Sequence, residues 1–453
     1  MIRKFGKNVD MTTGVVWRQL LLFALPLIAG DFLQQLYSTA DSVIVGQFVG
    51  KTALAAVTST ETLINSVIGM FSGVSAGATV VIARYFGAKD DENIQKAVHT
   101  VATITIVMGI LMTAVGVGLS PALLRLLKTP EDVFPEAKSY LRIYFCGMMG
   151  LVFYNMGSGV LRAVGDSFRP LVALGITSVV NIVLDLLFVA VLDMGVAGAS
   201  YATILAVYAS AAYLLYLLLR ADGAYRPSFR KLSYDKKIAG TVFGIGVPMG
   251  IQKSIVAFSN LMVIAHINLF GSGASAGWGV FRKVDTLVMN IMSNLGQALS
   301  TFISQNLGAR KEDRIKSGTR FAFAFTFLCA LILDLLLMVL RKPIILLFNS
   351  DPDVLHYGSL IFLSMLPFQP LNGLSSVLAG KFRGYGDSKG STIMHITCMV
   401  VLRQIYLNVG WTMTQEFLFV TSCYPFAWVT NLCLHLIYNR VKYKKRPEQG
   451  NRS

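Results

Sequence analysis

The chain has 453 residues, 54% of them hydrophobic and only 14% charged, and its mean hydropathy is +0.60. Soluble domains carry about 25% charged residues, so a soluble enzyme of this length is excluded and a membrane-embedded chain is implied. The net charge of +16 does not point to nucleic acid, because the basic residues are dispersed over many short connections.

In chain order, apolar runs lie near 20–45, 53–82, 94–119, 139–160, 170–192, 196–219, 238–269, 277–303, 318–340, 355–380, 391–410 and 416–438. Each is long enough for a span of about 20 residues. The expected fold is an all-α polytopic membrane protein with twelve transmembrane helices. The first run follows a basic start and continues without a small-residue cleavage site, so it reads as a retained span rather than a signal peptide.

Lys and Arg gather at Arg3/Lys4/Lys7/Arg18, Arg84/Lys89/Lys96, Arg162/Arg169, Arg226/Arg230/Lys231/Lys236/Lys237, Arg310/Lys311/Arg314/Lys316, Lys381/Arg383/Lys389 and Lys442/Lys444/Lys445/Arg446. These are alternate connections; the intervening ones are poor in basic residues apart from Arg125/Lys128 and Arg341/Lys342. The positive-inside rule then places both termini in the cytoplasm.

The second half repeats the first. Ile82-Ala83-Arg84-Tyr85-Phe86-Gly87-Ala88-Lys89 returns as Ile303-Ser304-Gln305-Asn306-Leu307-Gly308-Ala309-Arg310, and Arg162-Ala163-Val164-Gly165-Asp166-Ser167 returns as Arg383-Gly384-Tyr385-Gly386-Asp387-Ser388. Both pairs are about 221 residues apart, which indicates duplication of a whole unit. Pro26 and Pro248 fall one residue off that register. The polar stretch from Arg220 to Lys237 separates the copies. The expected organisation is a six-helix lobe over 1–222, a cytoplasmic linker over 223–237, and a second six-helix lobe with a basic tail over 238–453. An even number of spans per copy makes the repeats parallel, an arrangement common in secondary transporters.

Catalytic motifs fail on context. Gly73-Val74-Ser75-Ala76-Gly77 and Gly273-Ala274-Ser275-Ala276-Gly277 match G-x-S-x-G, but a nucleophile elbow needs a strand-to-helix turn. The first match falls inside a span and the second is expected in an outer loop. Gly46 to Thr52 is one residue short of a phosphate loop, whose backbone N–H groups must encircle the phosphates. The five cysteines, Cys146, Cys329, Cys398, Cys423 and Cys433, lack metal-ligand spacing and read as small core residues. The expectation is therefore a transporter rather than an enzyme, with no cofactor and no metal, driven by an ion gradient.

Ionisable groups within spans mark functional sites. Asp41 lies in the outer half of the first span, with Tyr37 one turn before it. Asp185 lies in the outer half of the fifth span, with Asn181 one turn before it. Thr203 in the sixth span falls at a similar depth. Two carboxyls, an amide and hydroxyls at one depth suit a proton or a small cation. Pro26 removes a helix hydrogen bond and creates a kink site in the first span, and Pro248 does so in the seventh. Between Gln252 and Phe270 there is no acidic residue, only Lys253 and His266. Arg282, Lys283, Asp285, Asp334 and Arg403 are the other ionisable groups of the second half's spans, and Asp285 is spaced to pair locally with Arg282 or Lys283. Asp166-Ser167 and Asp387-Ser388 read as helix caps. Gly69, Gly73 and Gly77 share a helix face that admits a close neighbour. Met70, Phe153, Met262, Met289 and Met292 are candidates for a flexible lining that would suit flat apolar cations.

Leu25-Pro26-Leu27-Ile28, Gln34-Gln35-Leu36-Tyr37-Ser38-Thr39-Ala40-Asp41-Ser42, Val45-Gly46, Ala53-Leu54-Ala55-Ala56-Val57 and Asn181-Ile182-Val183-Leu184-Asp185 together resemble the multidrug and toxic compound extrusion (MATE) family. Gln305-Asn306-Leu307-Gly308-Ala309 and the Arg383-Gly384-Tyr385-Gly386-Asp387 loop extend the resemblance over the whole chain. It is similar to the bacterial branch that keeps its acidic pair in the first lobe. The resemblance implies a monomeric exporter of the bacterial inner membrane, surrounded by lipid, that exchanges a proton or sodium ion for small organic cations. By the same resemblance Asp41, Asn181 and Asp185 bind the coupling cation, with Tyr37, Asn155 and Thr203 as further members. A lipid-linked oligosaccharide flippase of the wider superfamily is the alternative, supported by Lys253, Arg282 and Arg403 as basic groups within spans.

Overall fold

The computed structural model describes residues 9–126 and 129–443. The basic start (Arg3, Lys4, Lys7), Lys128 and the basic tail (Lys444, Lys445, Arg446) lie outside the described residues. Among those described there is no strand, and the chain forms twelve helical rods. They are α1 (Val16–Phe48), α2 (Lys51–Ala88), α3 (Asp91–Leu126), α4 (Phe134–Cys146 continuing as Met148–Ala163), α5 (Phe168–Val191) and α6 (Gly195–Leu219). After the connection at 220–235 come α7 (Lys236–Asn268), α8 (Ser272–Gly308), α9 (Glu312–Phe348), α10 (Pro352–Gly384), α11 (Ser388–Trp411) and α12 (Phe417–Tyr443).

Among the described residues ten rods are long and apolar enough to cross a membrane as they stand, and α4, bent by 47°, makes eleven. The twelfth, α8, has 37 residues. At about 1.5 Å per residue it also spans a bilayer, but Arg282, Lys283 and Asp285 interrupt its apolar character. The twelve-helix expectation therefore stands, with α8 as the polar member. Gly273 to Gly277 fall inside α8, which replaces the outer loop expected there.

The described residues gather into two compact units, one of residues 9–14, 21–250 and 304–311, the other of 15–20, 251–303 and 312–443. The division cuts α7 between residues 250 and 251, and the end of α8 returns to the first unit.

The sequence repeat is also a backbone repeat. Positive φ angles recur in pairs: Gly50 at 109° and Gly271 at 96°, Lys89 at 55° and Arg310 at 57°, Gly165 at 88° and Gly386 at 86°. Each pair marks the same helix end in the two copies, where a left-handed residue lets the chain turn back.

Within the first unit, helices meet through small residues. A Cβ on Gly77 of α2 would stand 2.3 Å from the Val242 carbonyl oxygen of α7, and one on Gly73 would stand 2.5 Å from that of Gly246. The glycine face of α2 is a backbone-to-backbone packing surface. The end of α2 and the end of α8 meet reciprocally: Gly87 lies on the backbone of Gln305, and Gly308 lies on the backbone of Arg84. Gln305, fully buried, accepts from the Met11 N–H through Oε1 (3.1 Å) and donates from Nε2 to the Ala163 carbonyl (2.8 Å). Asn306 donates to the Met11 carbonyl at 3.0 Å and Lys311 to that of Thr12 at 2.8 Å, so the repeated motif ties down the segment ahead of α1.

The two expected caps differ. Asp166 Oδ1 accepts from the N–H groups of Phe168 and Arg169, capping α5 as its position predicts. Asp387 makes no such bond to α11 and instead accepts from Lys442, Tyr438 and Tyr443 of α12. Partial burial works against ionisation of Asp387, but those donors outweigh it and hold its carboxyl below the usual range. Of the five cysteines, Cys398 and Cys423 are buried, whereas Cys146 and Cys433 are exposed rather than core residues.

Candidate functional site

The site expected from the sequence is built by α1, α5 and α6 of the first unit. Pro26 is buried within α1, where it removes one backbone hydrogen bond ahead of Tyr37 and Asp41. On α5, Asn181 and Asp185 stand one turn apart on the inner face and are 1% and 0% exposed. The α-helical part of α5 stops at Asp185, and the chain continues as a π-helical turn, Leu186–Val191. Such turns widen the helix and recur at functional positions.

Both carboxyl oxygens of Asp185 are buried without a well-formed hydrogen bond. The carboxyl of Asp41 and the amide of Asn181 stand beside it. Asn181 Nδ2 reaches Thr203 Oγ1 at 3.4 Å, Thr203 in turn donates to the Ala199 carbonyl at 3.0 Å, and Asn181 Oδ1 is buried without a partner. Tyr37 and Tyr144 are within electrostatic reach of Asp41. The structure thus brings Asp41, Asn181, Asp185 and Thr203 together, with Tyr37 at their side. Asn155 is engaged elsewhere: its amide donates to the Leu151 carbonyl of its own helix at 2.9 Å.

Two carboxyls side by side at this depth are costly unless a proton or a cation meets them. Two carboxyls, an amide oxygen and a hydroxyl form an all-oxygen, hard ligand set suited to a proton or an alkali cation. Among the described residues no group of three or more His, Cys, Asp and Glu side chains is arranged to hold a metal ion.

A second polar group was missed by sequence reasoning. Asp31 of α1 and Tyr154 and Arg162 of α4 interact electrostatically. Arg162, which the sequence groups with the basic connections, lies in the last turn of α4, and its Nε is buried without a hydrogen-bond partner. The available signal was Asp31 itself, a second carboxylate in the first span.

The five residues expected to line a substrate cavity differ in their surroundings. Met70 is half-buried, and Phe153 lines a small apolar crevice of about 50 Å³ beside Met156 and Leu214. Met262 is exposed. Met289 lines a cavity of about 300 Å³ in the second unit. Met292 is a correction: it is 1% exposed and packs with Val288 and Ala330, because its side of α8 faces α9 rather than a cavity. Also in the second unit, Arg282 and Asp285 form the expected local ion pair at 3.0 Å, and Gln369 Nε2 donates to the other Asp285 oxygen at 2.7 Å.

Comparison with known proteins agrees with this architecture. The MatE family pattern matches residues 26–187 and again 248–408, once in each repeat. The chain is 29% identical to a Bacillus subtilis (strain 168) protein named "Probable multidrug resistance protein YoeA", over 95% of each chain. It is 25% identical to a Shewanella oneidensis protein named "FAD transporter", over 85% of this chain and 86% of the relative. A solved structure described as an outward-facing conformation of a multidrug resistance MATE family transporter superposes with a TM-score of 0.89, at 22% identity, covering 96% of this chain and 97% of that one. With twelve helical rods, an internal duplication and a family match in both copies, the chain belongs to the MatE family of multi-pass membrane transporters.

Proposed function

We propose that this protein exports small organic cations across the bacterial plasma membrane in exchange for an inward-moving proton or sodium ion, by alternating access. The observation that carries this reading is the buried carboxyl pair: Asp185, 0% exposed, stands beside the carboxyl of Asp41 and the amide of Asn181. Such a pair is compensated only when a cation or proton sits on it. The coupling ion would be held by the two carboxyls with Asn181 Oδ1 as a neutral ligand, while Thr203 orients the amide. An ion drives transport only if it binds one conformation better than the other. Neutralising Asp41 removes a charge from α1, and the hydrogen bond missing at Pro26 lets that helix change its bend at low cost. The relative named for multidrug resistance supports a broad cargo of small molecules, and the flippase alternative is not favoured by the relatives found.

Reconstituted proteoliposomes test the reading with ethidium as the probe, under separately imposed proton and sodium gradients. One gradient should drive ethidium accumulation in vesicles of the correct orientation, and dissipating it should stop transport. Equal movement with and without gradients would remove ion coupling. Movement of FAD but not ethidium would replace the cargo class with the one named for the relative.

Topology gives a further prediction. In a protein freed of its native cysteines, single cysteines at Lys236 and Arg314 should be labelled only from the cytoplasm, and those at Gly271 and Trp411 from outside intact cells. External labelling at Arg314 would overturn the arrangement of two parallel six-helix repeats with cytoplasmic termini.

A further inference from the structure

Arg403 is the largest fully buried side chain among the described residues, 1% exposed. It follows directly on a second π-helical segment, Thr397–Leu402, within α11. That places it at the same kind of helix irregularity that adjoins Asp185. Its guanidinium carbon lies 4.8 Å from the centroid of the Tyr424 ring, and Nη2 donates to Ser259 Oγ at 2.7 Å. That hydroxyl is fully spent, since it also accepts from Gln404 Nε2 at 2.8 Å and donates to the Met399 carbonyl at 3.2 Å. Arg403 Nε is buried with no partner, and no ion pair joins Arg403 to a carboxylate among the described residues.

A buried guanidinium without a counter-ion is a costly arrangement, and a tyrosine face and one hydroxyl compensate it only in part. The other charges near it are already used. Arg282 and Asp285 neutralise each other, and Gln369 occupies the second Asp285 oxygen. Among the residues that line the 300 Å³ cavity, Arg403 therefore carries the one charge without an opposite charge on the wall; the buried Asp334 carboxyl interacts with Asp285 and does not line the cavity. The same cavity presents the amides of Asn260, Asn290 and Asn372, and apolar surface from Met289 and Trp428. Asn372 spends an amide hydrogen on the Met289 sulfur at 3.4 Å, a weak acceptor that a better one would displace.

We infer that this cavity is a binding site for an organic carboxylate of about one ring. The carboxylate meets the Arg403 guanidinium, which is built for planar two-oxygen recognition, and the ring lies against Met289 and Trp428. The size follows from the volume, which is at the small end of the range of about 300–1,000 Å³ for ligand pockets. The site lies wholly within the second unit, and its occupancy is read without any gradient, so it stands or falls separately from the coupling reading of α1 and α5.

The test is titration calorimetry and thermal unfolding of the purified full-length protein with benzoate, against benzamide as the neutral shape match and against chloride and phosphate. Benzoate should bind and raise the unfolding midpoint, benzamide should bind at least tenfold more weakly, and chloride or phosphate at equal concentration should fail to displace benzoate. Arg403→Gln should lower benzoate affinity at least tenfold. Because loss of a buried arginine can itself unfold the protein, Met289→Trp provides a second variant that fills the cavity and keeps the guanidinium; it should abolish binding. Equal binding of benzoate and benzamide, or wild-type benzoate affinity in Met289→Trp, would overturn the site. Full displacement by chloride or phosphate would overturn the organic-acid class.

Discussion

Asp41→Asn and Asp185→Asn should each lower gradient-driven ethidium transport steeply while the protein still inserts and remains monodisperse. Asparagine keeps the size and removes the group that takes up the coupling ion. Asp185 is fully enclosed, so no solvent ion can take over its role, and Asp41 is the charge beside it. A coupling free energy between two sites is typically 1–3 kcal/mol, so a loss of about 5- to 150-fold is expected from removing one side of it. Asn181→Leu should act in the same direction, because it removes the amide oxygen left facing the pair. Asp334→Asn in α9 of the second unit should reduce transport less. The measurement is the initial rate of ethidium uptake into proteoliposomes, normalised to protein reconstituted. Near-normal gradient-driven transport by a well-inserted Asp41→Asn protein would remove the proposed coupling site.

Gly87→Ala and Gly308→Ala should each lower stability sharply, although each adds a single carbon. The new Cβ would lie 1.9 Å from the Gln305 carbonyl oxygen in the first case and 2.0 Å from that of Arg84 in the second. Both obstacles are backbone, so a rotamer change cannot relieve the clash, and two long helices must separate by more than an ångström. Overpacking of this kind costs about 1–3 kcal/mol and occasionally more; here the upper end is expected, because the obstacle in both cases is the backbone of the opposing helix. Gly240→Ala on α7 is the control. No atom lies within 4 Å of its added Cβ, and alanine is the better helix former by about 1 kcal/mol, so stability should hold or rise. Thermal unfolding followed by size-exclusion fluorescence distinguishes them. Equal midpoints for Gly87→Ala and Gly240→Ala would show that the close approach does not matter to the fold.

What the sequence by itself determined was local or repeated. Helix number follows from apolar length, α8 excepted in polarity, because each span must satisfy its own backbone in lipid, whereas helices such as Glu312–Phe348 run past the apolar stretch at both ends. The duplication follows from matched motifs, and the paired left-handed residues show it in the backbone. The Arg282–Asp285 pair and the Asp166 cap were legible because three-residue spacing brings groups together on one helix turn. Only the tertiary structure decided which face of each rod turns inward. In a soluble helix the apolar stripe marks that face, whereas in lipid both faces are apolar and the pattern carries little contrast. That is why Met289 and Met292, three residues apart on α8, could not be told apart, although one lines a cavity and the other the core. It is also why Asp387 was read as a cap when its donors come from α12, and why Arg403 gave no sign that no carboxylate of another helix would meet it. Those pairings depend on where backbones come close enough to touch, at Gly77 and Gly87 among others, and a single span does not encode its neighbour's position.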